Sequence, residues 1–317
     1  MTGEKRPLVI LTGPTAAGKT ELSIKLAKKI GGEIISADSM QVYRYMDIGS
    51  AKIKKEEMKG IPHYLVDVLN PEDEFNVYTF QQMAKKALKG IYKNDHIPIV
   101  AGGTGFYIQA LLYDIAFEPE QENTRVREKL EKLARDKGNS YLHKKLEEVD
   151  PEAAEEIHEN NVKRLIRALE FYELNKIPIS RHNKEQREKE SAYNSCYFVL
   201  NDDRNKLYER IDKRVDAMLE EGLIDEVKHL KDMGYHKDMV SMQGLGYKEM
   251  LSYLDGEITL EEAVYLIKRD SRHFAKRQLT WFRREKDVVW INKQDFNYDD
   301  ARILDFMTDV MMQKGIW

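Results

Sequence analysis

The chain has 317 residues, 42% hydrophobic and 33% charged, with a formal net charge of −4. That describes a globular, helix-rich chain of about two domains; it contains no run of about 18 apolar residues that would span a membrane. Its single cysteine, Cys196, excludes an internal disulfide and any cysteine-based zinc site. The acidic balance counts mildly against a uniformly basic nucleic-acid binder, although local basic patches decide phosphate binding. The first residues, MTGEKRPLVI, lack the long apolar core and small-residue cleavage site of a secretory signal, so a cytoplasmic location is expected.

In chain order, Leu8–Thr12 predicts a buried strand, Lys19–Ile30 a helix and Glu33–Ala37 a second strand ending at Asp38. His63–Leu69 is a third strand candidate. Val77–Tyr92 carries Phe80, Met83, Ala84, Ala87, Leu88 and Ile91 at helical spacing, and Ile97–Ala101 is a short buried strand broken by Gly102 and Gly103. Strand and helix alternate as in a parallel sheet covered by helices. From about residue 119 to 191 the pattern changes to charged helical pieces, Thr124–Asp136, Tyr141–Val149, Pro151–His158 and Val162–Asn175. Pro178 and a polar stretch, HNKEQREKES, follow. This reads as an all-helical insertion domain between 1–118 and 192–317. Ser195–Asn201 is a strand expected to rejoin the first sheet. Helices then dominate to Lys286, Val288–Asn292 is a last strand and Ala301–Gln313 a last helix.

The segment Gly13, Pro14, Thr15, Ala16, Ala17, Gly18, Lys19 and Thr20 fits G-x-x-x-x-G-K-[ST] and sits between a strand and a helix. Its glycines allow the tight loop, and its backbone N–H groups and the helix N-terminus bind anionic oxygens. Lys19 offers a point charge to a phosphate, and the Thr20 hydroxyl is the usual Mg²⁺ ligand. The pattern specifies a polyphosphate, whether of ATP or of another compound, but not which bond breaks. Phosphoryl-transferring relatives of this loop carry an acid at the end of a second buried strand. The best candidate, Ile97–Ala101, ends instead in Gly-Gly-Thr, with no acid before Asp114. Diphosphate as a leaving group therefore fits as well as phosphoryl cargo.

Asp38 lies at the C-terminal end of a parallel strand, the edge that faces the ligand crevice. A carboxylate there can accept a proton from a nucleophile or hold Mg²⁺ through water. A capping aspartate of a turn accounts for it equally well.

Six stretches occur in order along nearly the whole chain: GPTAAGKT, SADSMQVYRYMDIGSAK, VAGGTGFY, KRLIRALE, QGLGYKEM and AKRQLTWFR. Together they closely resemble the bacterial tRNA dimethylallyltransferases (tRNA isopentenyltransferase family). The resemblance implies an α/β, P-loop NTPase-like parallel-sheet core with a helical insertion. It implies transfer of the dimethylallyl group from dimethylallyl diphosphate to the exocyclic amine of the adenine just 3′ of the anticodon, with release of diphosphate. On this chain, residues 13–20 would hold the diphosphate. Lys19, Thr20 with Mg²⁺, and Arg214 would offset its growing charge, and Asp38 would take or orient the amine proton. Ser39, Met40, Gln41 and Thr104 would meet the tRNA, as would Arg127. Gln243, Gly244, Leu245, Gly246, Tyr247 and Lys248 would lie beside it. A monomer is expected.

Arg210 and Arg214 share a helix face; an ordinary solvated ion pair suits Arg210 better. The Gly102–Gly103 pair permits close backbone approach, and Thr104 also fits a helix N-cap. Tyr247 either stacks on a base or packs under its loop. Two stretches are basic on one side. Lys163, Arg164 and Arg167 cluster within two turns, and Lys268, Arg269, Arg272, Lys276, Arg283 and Lys286 fall within an arc of roughly 100°, opposite Ile267, Phe274, Trp281 and Phe282. Such a face is most often simply solvated; the absence of acid from the arc favours anion binding. The rival readings are a P-loop small-molecule or nucleotide kinase, with Asp38 as base toward a hydroxyl, and a non-enzymatic RNA-binding P-loop protein. The kinase reading leaves the basic helices and the DIGSAK and QGLGYK stretches unexplained.

Overall fold

A computed structural model describes residues 5–117 and 124–317. The chain divides into two compact units, one of residues 1–112 and 192–317, the other of residues 113–191. The boundary expected at 118–119 lies outside the described residues.

The first unit is built on one parallel sheet of six strands in the order β3-β2-β4-β1-β5-β6. In chain order, β1 (Pro7–Thr12) leads into α1 (Lys19–Ile30), then come β2 (Gly32–Ala37), β3 (His63–Tyr64), α2 (Val77–Lys93), β4 (Ile97–Gly102) and α3 (Gly105–Leu112). After the insertion, β5 (Asn194–Asn201) returns beside β1, with Leu11 opposite Phe198. The second unit holds α4 (Thr124–Lys137), α5 (Asn139–Val149), α6 (Pro151–Glu156), α7 (Val162–Asn175) and α8 (Ile179–Glu188). The first unit then continues with α9 (Arg204–Glu220), α10 (Leu223–Asp232), α11 (Tyr247–Leu254), α12 (Leu260–Phe282), β6 (Val288–Asn292) and α13 (Asp300–Gln313).

Every residue from Leu8 to Thr12 is buried, so β1 is covered on both faces. This is why it reads as a continuous apolar run rather than an alternation. Val9 and Leu11 face a core shared with Leu22, Leu26 and Ile30 of α1 and Ile303, Met307 and Met311 of α13; α2 packs over β2 and β4. Among the described residues, no helix is long and apolar enough to cross a membrane. The second unit has its own core, in which Leu130, Leu142, Leu146, Leu165 and Leu169 meet. Asp150, buried, caps α6 through the Ala153 amide at 3.0 Å and ties in α8 through the Ser180 hydroxyl at 2.6 Å.

One expectation is corrected, and one stretch without a predicted element is resolved. The third strand stops at Tyr64 because Leu65 and Asp67 take positive φ of 63° and 55°, values an extended strand does not allow. The chain beyond instead pairs with residues 41–44, the Val68 amide donating to the Val42 carbonyl at 2.9 Å. The polar stretch after Pro178 is helical, as α8; its sparse apolar residues hide the helical period.

Close packing at the strand ends makes a pair of glycine substitutions informative. A Cβ on Gly102 would lie 2.3 Å from the Ala37 carbonyl oxygen, whereas a Cβ on Gly90, in α2, meets nothing within 4 Å. Gly102→Ala is expected to lower unfolding free energy by ~1–3 kcal/mol through overpacking. Gly90→Ala is expected to raise it by about 0.5–1 kcal/mol. Urea denaturation of both variants checks the contrast.

Candidate active site

The loop between β1 and α1 turns on Gly13 (φ 145°) and Gly18 (φ 92°), the latter capping α1 in a left-handed conformation. A Cβ on Gly13 would sit 2.2 Å from the Leu200 carbonyl oxygen, so the loop lies directly against the end of β5. Lys19 Nζ donates to the carbonyls of Gly13 (3.0 Å) and Pro14 (2.7 Å). Burial, and next the Arg214 charge, push the Lys19 ammonium down to about 8, with Asp38 opposing. The Thr20 hydroxyl is exposed at the loop mouth.

Two arginines one helical turn apart on α9 reach this loop. Arg214 donates from Nη1 to the Thr15 hydroxyl at 3.3 Å, and Arg210 from Nε to the Ala16 carbonyl at 2.9 Å. Arg210 therefore braces the phosphate loop as well as making the ion pair expected of it, and that pair is anchored on a buried carboxylate rather than solvated. Its guanidinium also meets the buried Asp202 at 2.7 Å. Burial alone would raise Asp202, but Arg210, the Asp203 amide and the Tyr298 hydroxyl hold it below the usual carboxylate range. Lys213 joins Ala16, Gly18, Lys19, Thr20, Arg210 and Arg214 around a cleft of about 420 Å³. Lys293, after β6, brings its amine to the same place, 3.3 Å from where a Cβ of Gly18 would be. The cleft is lined by cations and by α1's N-terminal amides, an arrangement suited to a polyphosphate.

Asp38 stands across the sheet edge. β4 separates β1 from β2, so the phosphate loop and Asp38 start two strand spacings apart, roughly 10 Å. The strand between them ends in Gly102-Gly103-Thr104, as the sequence indicated. The Thr104 amide donates to the Ala37 carbonyl at 3.1 Å, and the Thr104 carbonyl accepts from the Ile108 amide at 3.2 Å, which places Thr104 at the N-cap of α3. Asp38 Oδ1 accepts the amides of Met40 (2.8 Å) and Gln41 (3.3 Å), the turn-capping role considered for it. Its other oxygen, Oδ2, accepts no hydrogen bond among the described residues. One oxygen thus anchors the carboxylate while the second stays uncommitted. Asp38's charge is felt by Lys19, Arg214 and the buried Tyr107, whose hydroxyl is pushed up mainly by burial.

A residue with no assigned role joins the two sides. Gln278 of α12, buried, accepts the Thr15 amide at 2.9 Å and donates to the Gly103 carbonyl at 2.9 Å, clamping the phosphate loop to the Gly-Gly-Thr turn. The sequence held one signal of it: Gln278 is a polar side chain on the otherwise apolar face of that helix.

The stretches around 38–52 and 243–248 also meet. Met40's terminal methyl lies 2.4 Å from where a Cβ on Gly244 would be, and the Tyr247 ring lies 2.6 Å from a Cβ built on Gly49. Tyr247 is fully buried and donates to Glu226 at 2.9 Å. That corrects the base-stacking alternative: Tyr247 packs under its loop. Gln41's side-chain carboxamide donates to the Ala51 carbonyl (3.2 Å) and accepts from the Ser36 hydroxyl (3.3 Å). Gln243 donates to the Lys237 carbonyl, and Lys248 pairs with Glu249 at 3.4 Å. Ser39 and Leu245 are half-buried.

The basic face of α12 is only partly free. Lys268 pairs with Asp216, Arg272 with Asp212 and Arg269 with Asp270. An absence of acids along one arc is thus offset by acids on α9 and by α12's own Asp270. Arg283 and Lys286 lie beyond the helix end at Phe282. Lys276 and Arg283 are exposed, with no acidic partner among the described residues. Lys276 lines a groove of about 490 Å³ with His273, Arg277, Thr280, Trp281 and Arg284.

In the helical unit, Lys163, Arg164 and Arg167 are exposed on α7, whose other face buries Leu165, Ile166, Ala168 and Leu169. Arg127 of α4 pairs with Glu170 of α7 at 2.8 Å, which organises it beside that basic turn.

Comparison with known proteins decides among the readings of this site. A family model described as IPP transferase matches residues 41–285. The chain belongs to the IPP transferase family. A tRNA dimethylallyltransferase of Lachnoclostridium phytofermentans is 60% identical over 311 residues, covering 98% of this chain and 99% of its own. The crystal structure of a full-length tRNA isopentenylpyrophosphate transferase from Bacillus halodurans superposes with a TM-score of 0.74 at 44% identity, covering 98% of each chain. A eukaryotic dimethylallyltransferase, captured acting on tRNA, gives a TM-score of 0.81 at 27% identity over 97% of this chain and 80% of its own. These likenesses favour prenyl transfer over the kinase reading. The family-model match begins at residue 41, just after Asp38, whereas the full-length relatives match 98% of the chain.

Lys19 makes binding pH-dependent. An anion in the loop favours the ammonium, which in the free protein is lost as pH rises through about 8. Affinity for a diphosphate monoester is thus expected to be full below that pH and to fall up to ~10-fold per pH unit above it, with uptake of about one proton. Calorimetry in buffers of different ionisation enthalpy measures the proton; Lys19→Met should abolish the uptake.

Proposed function

We propose that the chain transfers the dimethylallyl group of dimethylallyl diphosphate to the exocyclic amine of the adenine 3′ of the anticodon in tRNA, releasing diphosphate. The observation that carries this reading is the spacing of the site. A cationic phosphate loop and a carboxylate with one free oxygen stand roughly 10 Å apart, with a Gly-Gly-Thr turn between them. A five-carbon unit and the amine it joins fit between a bound diphosphate and Asp38.

In the reaction the carbon–oxygen bond to the diphosphate breaks, and its electron pair leaves with the diphosphate. The carbon–nitrogen bond forms, and the amine gives up a proton. The α1 amides, Lys19 and Arg214 oppose the charge that grows on the leaving oxygen, where fixed donors are worth most. Asp38 Oδ2 accepts or orients the amine proton, which matters because the amine lone pair is delocalised into the ring. Gln278 keeps both halves in register.

Mg²⁺ suits the loop. Among the described residues no group of three or more acids, histidines or cysteines forms a metal cage. The exposed Thr20 hydroxyl offers the single hard oxygen that Mg²⁺ needs beside diphosphate oxygens and water. When bound, the ion would neutralise part of the diphosphate charge.

An adenine within an anticodon loop has to be unstacked and flipped to be alkylated, and a single-stranded loop suits that. Lys276 and Arg283, with Lys163, Arg164 and Arg167 of the helical unit, are cations suited to the stem and loop phosphates. The cytoplasm, where tRNA is processed, is the compartment this reading requires.

The direct test supplies labelled dimethylallyl diphosphate, Mg²⁺, ATP and unmodified tRNA. Label is expected on the adenine; phosphoryl transfer from ATP without prenylation would sink the reading. Asp38→Asn is expected to lower turnover by ~10²-fold or more with tRNA affinity retained; equal loss of both would make Asp38 a structural cap only. Replacing Lys276 and Arg283 with alanine is expected to weaken tRNA binding and to reduce the slope of log K against log salt by about 1–2, measured by filter binding.

A further inference from the structure

The stretch from Asp38 to Lys52 carries the proposed base, and its shape is set from outside. The carboxylate of Glu226, on α10, accepts three consecutive amides: Asp47 at 2.9 Å, Ile48 at 2.7 Å and Gly49 at 3.0 Å. The Tyr247 hydroxyl adds a fourth bond at 2.9 Å. Burial, and then the Glu226 charge, hold Tyr247 well above its usual range, so it stays a neutral donor. From those amides the bonding continues inward. Ala51's amide donates to the Ile48 carbonyl at 2.9 Å, and the Ala51 carbonyl accepts Gln41 Nε2 at 3.2 Å. The Gln41 amide donates to Asp38 Oδ1 at 3.3 Å. Lys52, buried, locks the same segment through the Tyr43 carbonyl, Asp47 and Asp67, each at 2.6 Å.

We propose that Glu226 is a positioning residue for the transfer, acting through the 47–49 amides and Gln41 to fix Asp38 Oδ1 and so to aim Oδ2 at the amine. The physical reason is acceptor count. Three converging N–H groups call for a charged acceptor with two oxygens. A carboxamide presents one oxygen and turns an N–H toward the remaining amide. The link to Tyr247 ties the same carboxylate to the 243–248 stretch, so the segment bearing the base and the segment expected beside tRNA are held by one group. Misplacing a reacting group by about 1 Å can slow a reaction on the order of 10²-fold, even when the altered residue lies far from the chemistry. The inference rests on the reading of Asp38 as proton acceptor.

The experiment compares Glu226→Gln with the unaltered protein in single turnover, at saturating dimethylallyl diphosphate and tRNA and per folded molecule. tRNA affinity and amide hydrogen exchange across residues 38–52 are measured alongside. The rate is expected to fall ~10- to 100-fold, with tRNA affinity within about twofold and with faster exchange at Met40 and Gln41 as well as at 47–49. An unchanged rate, with faster exchange confined to 47–49, would overturn the proposal and make Glu226 a staple of its loop alone. If Glu226→Gln does not fold, Glu226→Asp, which keeps the charge but withdraws it by one methylene, is judged on the same readouts. Asp38→Asn, run in parallel, separates the two claims. A normal rate in that variant defeats the reading of Asp38 and the positioning role with it. A slow Asp38→Asn beside a normal Glu226→Gln defeats only the positioning role.

Discussion

One strand decides what this site can do. β4 lies between the strand that feeds the phosphate loop and the strand that ends in Asp38, and it ends in two glycines and a threonine. Its backbone passes so close to β2 that a side chain on Gly102 would strike the Ala37 carbonyl. The strand ends are therefore pinched together, while the two functional groups stay one intervening strand apart. An acid at that central position would sit against the bound phosphates and serve phosphoryl chemistry. In the proposed reaction, a small turn there leaves room for the group that joins diphosphate to acceptor.

The charges divide along the same line. Lys19, Lys213, Arg214 and Lys293 gather on the phosphate-loop side, with Arg210 offset by Asp202. Across the edge stands Asp38. Each side modulates the other, because Asp38 favours the charged forms of Lys19 and Arg214 while burial disfavours them. On the proposed reading, diphosphate in this cleft would complete the charge balance, and the frame to receive it is already tied together by Gln278, by Arg210 and by the bonds that Glu226 makes to the Asp38–Lys52 segment.

Much of this was legible in the sequence, for local reasons. β1, β2, β4 and β5 stood out because buried parallel strands are continuous apolar runs, and α1 because it follows directly on the phosphate-loop pattern. The phosphate loop and Asp38 stood out because their positions at strand ends carry meaning. What was not legible depends on partners far along the chain. Gln278 meets Thr15 across 263 residues, and Glu226 meets Gly49 across 177; no local pattern announces either. The basic arc on α12 looked free of acids because Asp212 and Asp216, which answer Arg272 and Lys268, belong to α9. Tyr247 looked equally fit to stack or to pack, and only the contact with Gly49 settles it. α8 was hidden by its polarity, and the third strand was cut short by positive φ values that residue types such as Leu65 do not advertise.

The central claim is that this phosphate loop holds a leaving group, so the bond that breaks is carbon–oxygen rather than phosphorus–oxygen. Dimethylallyl diphosphate labelled with heavy oxygen in the bridge between carbon and phosphorus tests that claim. After reaction with tRNA and Mg²⁺, mass spectrometry of the products should find the label in the released diphosphate and none attached to the prenyl carbon. Label retained on the five-carbon unit, with unlabelled phosphate transferred, would contradict the account.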